Sequence, residues 1–238
     1  MICSLREEIG MRELFFFVDE RLPKELQKKV KEAAQEASII YDAPTIYAGS
    51  IPISGILGSH FTTAGPVIRK TEYGVQRDAG KMLGKTYELL RRGGRRIVFV
   101  TVDDLTCLFG QSYLNFCFGL TLGAIGTVIS IARFTQLPIE EQKIILVGLI
   151  MHELGHIYDV ASDGRRAHTK YSLGMHCTDK YCVMQQGLTI DSLRENFLRV
   201  NKAKGNSNNV ESKYYCKMCR NDIDKWKPIK SSTRARTV

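Results

Sequence analysis

Apolar residues between Leu22 and Ala37 recur at intervals of three and four, with Pro23 near the start, and this spacing predicts an amphipathic helix. The following stretch, SIIYDAPTIYAGSIPI, is expected to be extended. A second helix is predicted over roughly Gly74 to Arg92, stopped by Gly93 and Gly94. The run from Arg95 to Leu105, RRIVFVTVDDL, has the length and β-branched content of a buried strand that leaves the core through two acids. Tyr113 to Leu120 and Gly126 to Phe134 alternate well enough for two more strands joined by a glycine-containing turn. A third helix is expected from near Pro138 through ILVGLIMHELGHIYDV, about 138–160. Beyond Leu198 the chain turns polar, and Ala203 to Ser212 is expected to be a flexible loop before a CKMC hairpin. The alternation of strands and helices predicts an α+β fold, a twisted mixed sheet backed by helices with a loop-rich C-terminal part.

Composition narrows this picture. With 238 residues, 44% of them hydrophobic, the chain can bury one sizeable core. One domain over 1–226 is expected, followed by a basic tail over 227–238. The apolar stretch from Phe116 to Ala132 raises a membrane span, but its repeated glycines and β-branched residues suit two strands, so no membrane partner is expected. The balance of 34 Lys+Arg against 25 Asp+Glu gives a net charge of +9, partly in the run Lys225 to Arg236. No aromatic-interleaved basic repeat or helix-turn-helix pattern accompanies it, which makes nucleic acid an unlikely partner. The apolar run Leu14 to Val18 is too short for a signal peptide, and a cytoplasmic address is expected. Seven cysteines in such a compartment are expected to be thiols or metal ligands.

The chemistry concentrates at positions 152 to 156, HELGH. On a helix His152 and His156 share one face, so both imidazoles can bind one zinc ion while Glu153 flanks it. Zinc lowers the pKa of water toward about 7, and a carboxylate beside it can take the proton as the water attacks a polarised peptide carbonyl. The apolar residues Ile144, Ile145, Val147, Gly148 and Ile150 embed this helix in the core. A catalytic zinc requires a third protein ligand, to be found among Asp159, Asp163, His168 and His176; position 162, which the shortest spacing would use, is serine.

The segment Gly174 to Met184, GMHCTDKYCVM, and the later CKMC pair at Cys216 and Cys219 join HELGH in a pattern that resembles the archaemetzincins. Their pattern is HExxHxxGxxHC, four residues, CxM and a later CxxC. The resemblance implies a metzincin-like zinc metallopeptidase acting on peptides or proteins. It implies His176 as the third catalytic ligand, Glu153 as general base, and Met184 as the methionine of the turn beneath the metal. A second, structural zinc would be held by Cys177, Cys182, Cys216 and Cys219. The residues agree, since Cx4C and Cx2C thiols make a plausible tetrahedral set.

The sequence departs from this pattern in two ways. Asp159 replaces the glycine at which the chain turns after the helix, and fourteen residues are added before His176 relative to a third ligand at position 162. Gly164 and Gly174 offer a later turn, after a helix one turn longer, and Asp159 to Met175 is expected to act as a lid or regulator. Metzincin-like enzymes bind substrate along a sheet edge, for which Tyr113 to Leu120 is the candidate. The alternative function is a non-catalytic zinc-containing protein that binds peptides or a partner on the same scaffold.

Overall fold

The computed structural model describes residues 13–52, 67–90, 95–123, 125–162, 165 and 167–227. The Gly93-Gly94 stop, Asp163, Gly164 and the tail beyond 227 lie outside the described residues.

Strand β1 (Leu14–Asp19) leads through Pro23 into helix α1 (Lys24–Tyr41), whose buried Leu26, Val30, Ala33, Ala34, Ala37, Ile40 and Tyr41 lie on one stripe. The helix outlasts its predicted end by a turn, because Ile40 and Tyr41 continue the apolar stripe; only Thr45–Ile51 is the extended strand, β2. A short antiparallel pair, β3 (Val67–Thr71) and β4 (Gly74–Asp78), precedes helix α2 (Ala79–Leu90). The helix expected from Gly74 therefore starts only after a strand.

Strand β5 (Arg96–Thr101) is the centre of the molecule, buried at every position. Its pleat divides the core: Ile97 and Phe99 join Ala79, Met82 and Leu83 of α2, whereas Val98 and Val100 join the other face. That second face is covered by α1 and by α3 (Ile139–Ile157), which pack against one another. A strand covered on both faces has no polar side, hence its continuous apolar run.

After β5 come β6 (Asp104–Thr106), which pairs with β4, and a two-residue hairpin of β7 (Leu108–Phe109) and β8 (Ser112–Tyr113). Then follow β9 (Gly119–Leu122), β10 (Gly126–Ser130) and a 3-10 turn at Ala132–Phe134. The main sheet has the order β2-β1-β5-β10-β9, parallel except for the antiparallel β9 at its edge. The sheet is mixed and helix-backed, as expected, but Tyr113 to Leu120 is not one strand: β8 ends at Tyr113 and the edge strand begins at Gly119. The stretch Phe116 to Ala132 contains these strands, and no described helix is long and apolar enough to cross a membrane.

Beyond α3 lie the hairpin β11 (Thr169–Tyr171) and β12 (Met175–Cys177), then α4 (Ile190–Lys204), α5 (Val210–Tyr214) and α6 (Lys217–Asp224). Helix α4 carries a capping box from Thr189 and Ser192 and buries Leu193, Phe197 and Val200 beside α3. The predicted loop Ala203 to Ser212 is correspondingly shorter, bounded by α4 and α5. The CKMC segment is no hairpin, since Cys216 is the N-cap of α6 and Cys219 lies in its first turn.

Candidate metal centres beneath the edge strand

Helix α3 runs beneath β9 and β10 and presents His152, Glu153 and His156 where the sheet ends. Four residues of helix bring the Nε2 atoms of His152 and His156 within 3.2 Å. The chain leaves the helix at Asp159, which has φ +52°, the left-handed conformation that glycine adopts most readily. Two hydrogen bonds close the turn, Asp159 N to the His156 carbonyl at 3.3 Å and Val160 N to the Gly155 carbonyl at 2.8 Å. They form a complete Schellman motif. The turn thus occurs where the family glycine would make it, and the extra helical turn expected from the substitution is absent.

The added residues spend their length on the β11–β12 hairpin, turned at Leu173 (φ +50°) and Gly174 (φ +123°). Its second strand returns His176 to the helix, and the ligand atoms of His152, His156 and His176 lie within 4.8 Å of one another. Asp159 and His168 are exposed and stand outside this group.

Two of the three rings are oriented to face a cation. His152 Nδ1 donates to the Val183 carbonyl at 2.7 Å and His176 Nδ1 donates to the Gly174 carbonyl at 3.0 Å, which leaves each Nε2 lone pair free. Burial holds all three imidazoles below the ordinary histidine range, His176 at about 4, so they are neutral near pH 7. A tetrahedral zinc with bonds of about 2.05 Å separates neighbouring nitrogens by roughly 3.3 Å. The histidine pair fits that spacing.

Glu153 is buried beside these rings, and burial pushes its carboxyl up to about 7, partly offset by hydrogen bonds. Thr121 of β9 donates its hydroxyl to Glu153 Oε2 at 2.5 Å. Gly119, two residues earlier, passes so close that a Cβ there would collide with the same carboxylate. Below the helix, Met184 is fully buried with its sulfur where a Cβ on Gly155 would sit. The glycine of HELGH thus admits the methionine between the two histidine turns. The whole site opens into a cavity of about 300 Å³ between β9 and the C-terminal segment, with Phe118, Leu120, Leu173, Leu188 and Leu193 on its walls.

The second cluster lies on the far side of His176. Cys177, Cys182, Cys216 and Cys219 are all buried, with their sulfurs within 4.8 Å of one another. Cys177 and Cys216 are 3.7 Å apart, Cys182 and Cys219 3.5 Å. Four thiolates around one zinc at about 2.3 Å would be roughly 3.8 Å apart. Hydrogen bonds from its neighbours, that of Cys182 first, hold the Cys177 thiol down at about 7, and Cys216 is lowered further by those of Cys177, Cys182 and Cys219. Backbone N–H groups of Asp179 and Cys216 donate to Cys177 and Cys182, and buried Arg165 donates to Cys219 Sγ at 3.3 Å and to Asp222 at 2.9 Å.

Among solved structures, the chain is similar to archaemetzincin from Methanopyrus kandleri, with a TM-score of 0.58 over 91% of this chain and 96% of that chain, at 21% sequence identity. The chain has the archaemetzincin fold. No family model matches it, and the search of curated proteins finds no match.

On this archaemetzincin fold the structure brings together His152, Glu153, His156 and His176, sets Met184 beneath them, and gathers the four cysteines. Sequence reasoning missed Gly119, Thr121 and Arg165. A glycine two residues before a threonine in an apolar run signals at most a close backbone approach, and nothing in RRAHTK marks Arg165 as the buried donor to Cys219.

Proposed function

We propose that the chain is a zinc-dependent metallopeptidase that hydrolyses peptide bonds. His152, His156 and His176 hold the catalytic zinc, and Cys177, Cys182, Cys216 and Cys219 hold a second, structural zinc. The observation that carries this reading is the convergence of three neutral imidazoles with one buried carboxylate at the floor of a cleft bounded by a sheet edge. Bound zinc supplies a Lewis acid that polarises a carbonyl and lowers the pKa of water.

The chain's own groups supply the rest. Glu153, held by Thr121 and shielded by Gly119, takes a proton from the attacking water and passes it to the leaving amine. Burial raises its affinity for a proton, which suits it to hold one between the two transfers. Among the described residues, strand β9 is bonded only to β10 in the main sheet, so its other edge can pair with an extended substrate across the cleft. The apolar walls exclude water and receive side chains.

The test measures zinc content and peptide turnover on the same preparations. Wild type is expected to hold two zinc ions, and His176→Ala and Cys216→Ser one each. Glu153→Gln is expected to keep both ions while turnover falls by about 10² to 10⁴ fold. Full turnover in Glu153→Gln would overturn the mechanism. Two zinc ions with no turnover on any peptide would leave the scaffold as a binding protein.

A further inference from the structure

The added residues bring a leucine to the cleft in a conformation that leucine seldom takes. Leu173, at the turn of the β11–β12 hairpin, has φ +50°, an outlier for a bulky side chain. Its neighbours hold it there: Ser172 N donates to the Gly174 carbonyl at 2.8 Å, and Gln186 Nε2 donates to the Ser172 carbonyl. The next residue, Gly174, faces the histidine centre, where a Cβ would stand 3.6 Å from His176 Cε1 and 3.8 Å from His156 Cε1. Glycine or asparagine would make this turn with less strain, and the leucine gains little from burial, since it is 51% exposed. Backbone strain of this kind clusters at ligand-binding positions.

Leu188 is likewise 57% exposed and borders the same cleft. The chain carries 34 Lys+Arg and 25 Asp+Glu, yet among the described residues no lysine, arginine or aspartate lines the cleft, and its one acid is Glu153. A charged substrate side chain beside these leucines would lose water and meet no counter-charge, whereas an apolar one would cover apolar surface now open to solvent.

We propose that Leu173 is a specificity-determining residue, which with Leu188 selects an extended peptide segment carrying an aliphatic side chain next to the bond at the histidine centre. Leu173 directly precedes the glycine that faces two of the histidine rings, so the substrate side chain it meets is one beside the reacting carbonyl. Selection works against charge as well as for contact, because an unpaired charge is rejected by its lost hydration. A single methylene in an apolar pocket discriminates by about 10 to 200 fold, and about tenfold is expected from Leu173. The order in which peptides are cleaved rests on the peptidase reading; the order in which they bind does not.

The test uses zinc-loaded, full-length protein and three fluorescently labelled peptides, otherwise alanine and glycine, that carry one leucine, one aspartate or one lysine. Fluorescence anisotropy reads binding, and mass spectrometry reads the site of cleavage. The leucine peptide is expected to bind about tenfold more tightly than either charged peptide, and to be cut beside its leucine. Leu173→Asn keeps a residue that suits the left-handed turn, so its denaturation midpoint should not fall, while the advantage of the leucine peptide should shrink by about tenfold. Equal or absent binding of the three peptides would overturn the proposal. So would a Leu173→Asn protein that unfolds more readily but still prefers the leucine peptide as wild type does, since that leucine would serve the fold alone. Preferential binding of the leucine peptide without cleavage would remove the peptidase reading and leave the specificity standing, whereas cleavage of all three peptides at equal rates would do the reverse.

Discussion

The carboxylate of Glu153 is fixed from above by two residues of β9 that do opposite things. Thr121 attracts it with a hydroxyl, while Gly119 makes room for it. Gly119→Ala should therefore act on catalysis rather than on folding. Alanine is tolerated in a strand, but its methyl occupies the place of the carboxylate, and Glu153 must shift away from the reacting water. kcat/KM is expected to fall by about 10 to 100 fold, with circular dichroism and zinc content unchanged. Wild-type kcat/KM in Gly119→Ala would mean that β9 does not position Glu153. These two residues also mark how far the sequence carries at this scale. His152, Glu153 and His156 are legible because helical spacing alone places them on one side. Thr121 lies 32 positions from Glu153, and its role exists only once β9 has been laid over α3.

At the scale of elements, the end of α3 decides where His176 can reach. Asp159 holds the left-handed C′ position of a Schellman turn that glycine would adopt without strain. Aspartate tolerates this conformation better than most residues, and a β-branched side chain tolerates it least. Asp159→Val is expected to be less stable than Asp159→Gly by about 1–2 kcal/mol in denaturant unfolding of the zinc-loaded protein. Equal stability of the two would mean that the left-handed turn is not held in solution. Helix α3 itself is legible in the sequence because its apolar residues and Pro138 define it, and its end differs by three residues, Ile157 against 160. The turn was harder to place, since glycines elsewhere in the insertion compete with an aspartate for it. Tyr113 to Leu120 fails for a related reason: the alternation is present, but the β7–β8 hairpin and the bridge at Cys117 take up its first residues, leaving only the edge from Gly119. The split of Gly74 to Arg92 into a strand and a helix was hidden because Gln76 and Asp78 are buried polar residues whose partners lie elsewhere, such as Asp104 for Gln76 and Tyr113 for Asp78.

Over the whole molecule, the two candidate metal centres are joined through very little chain. His176 and Cys177 are consecutive on β12, and Cys182 is followed directly by Val183, whose carbonyl orients His152. Tyr215, next to Cys216, donates to the Met151 carbonyl of α3 at 2.5 Å, so the segment carrying the last two cysteines is also docked on the helix that carries His152 and His156. Arg165 completes the connection from the inserted residues to Cys219 and Asp222. A four-cysteine zinc in this place would fasten three regions of the chain at once, and a histidine metal centre would inherit its geometry from two of them. The dependence should run one way. His176→Ala removes a ligand from the cleft but leaves the four thiols and their hydrogen bonds intact, so the affinity of the cysteine centre is expected to be unchanged. Cys216→Ser releases α6 from β12 and loosens both His176 and the Val183 carbonyl. Losing such supporting contacts typically weakens a metal site by about 10 to 100 fold, and zinc at the histidine centre is expected to weaken by that factor. Competition with a chelator of known affinity, read on both variants, separates the alternatives. Symmetric losses would mean that the two centres stabilise one another only through the overall fold, whereas wild-type affinity of the histidine centre in Cys216→Ser would mean that β12 holds His176 without the second metal.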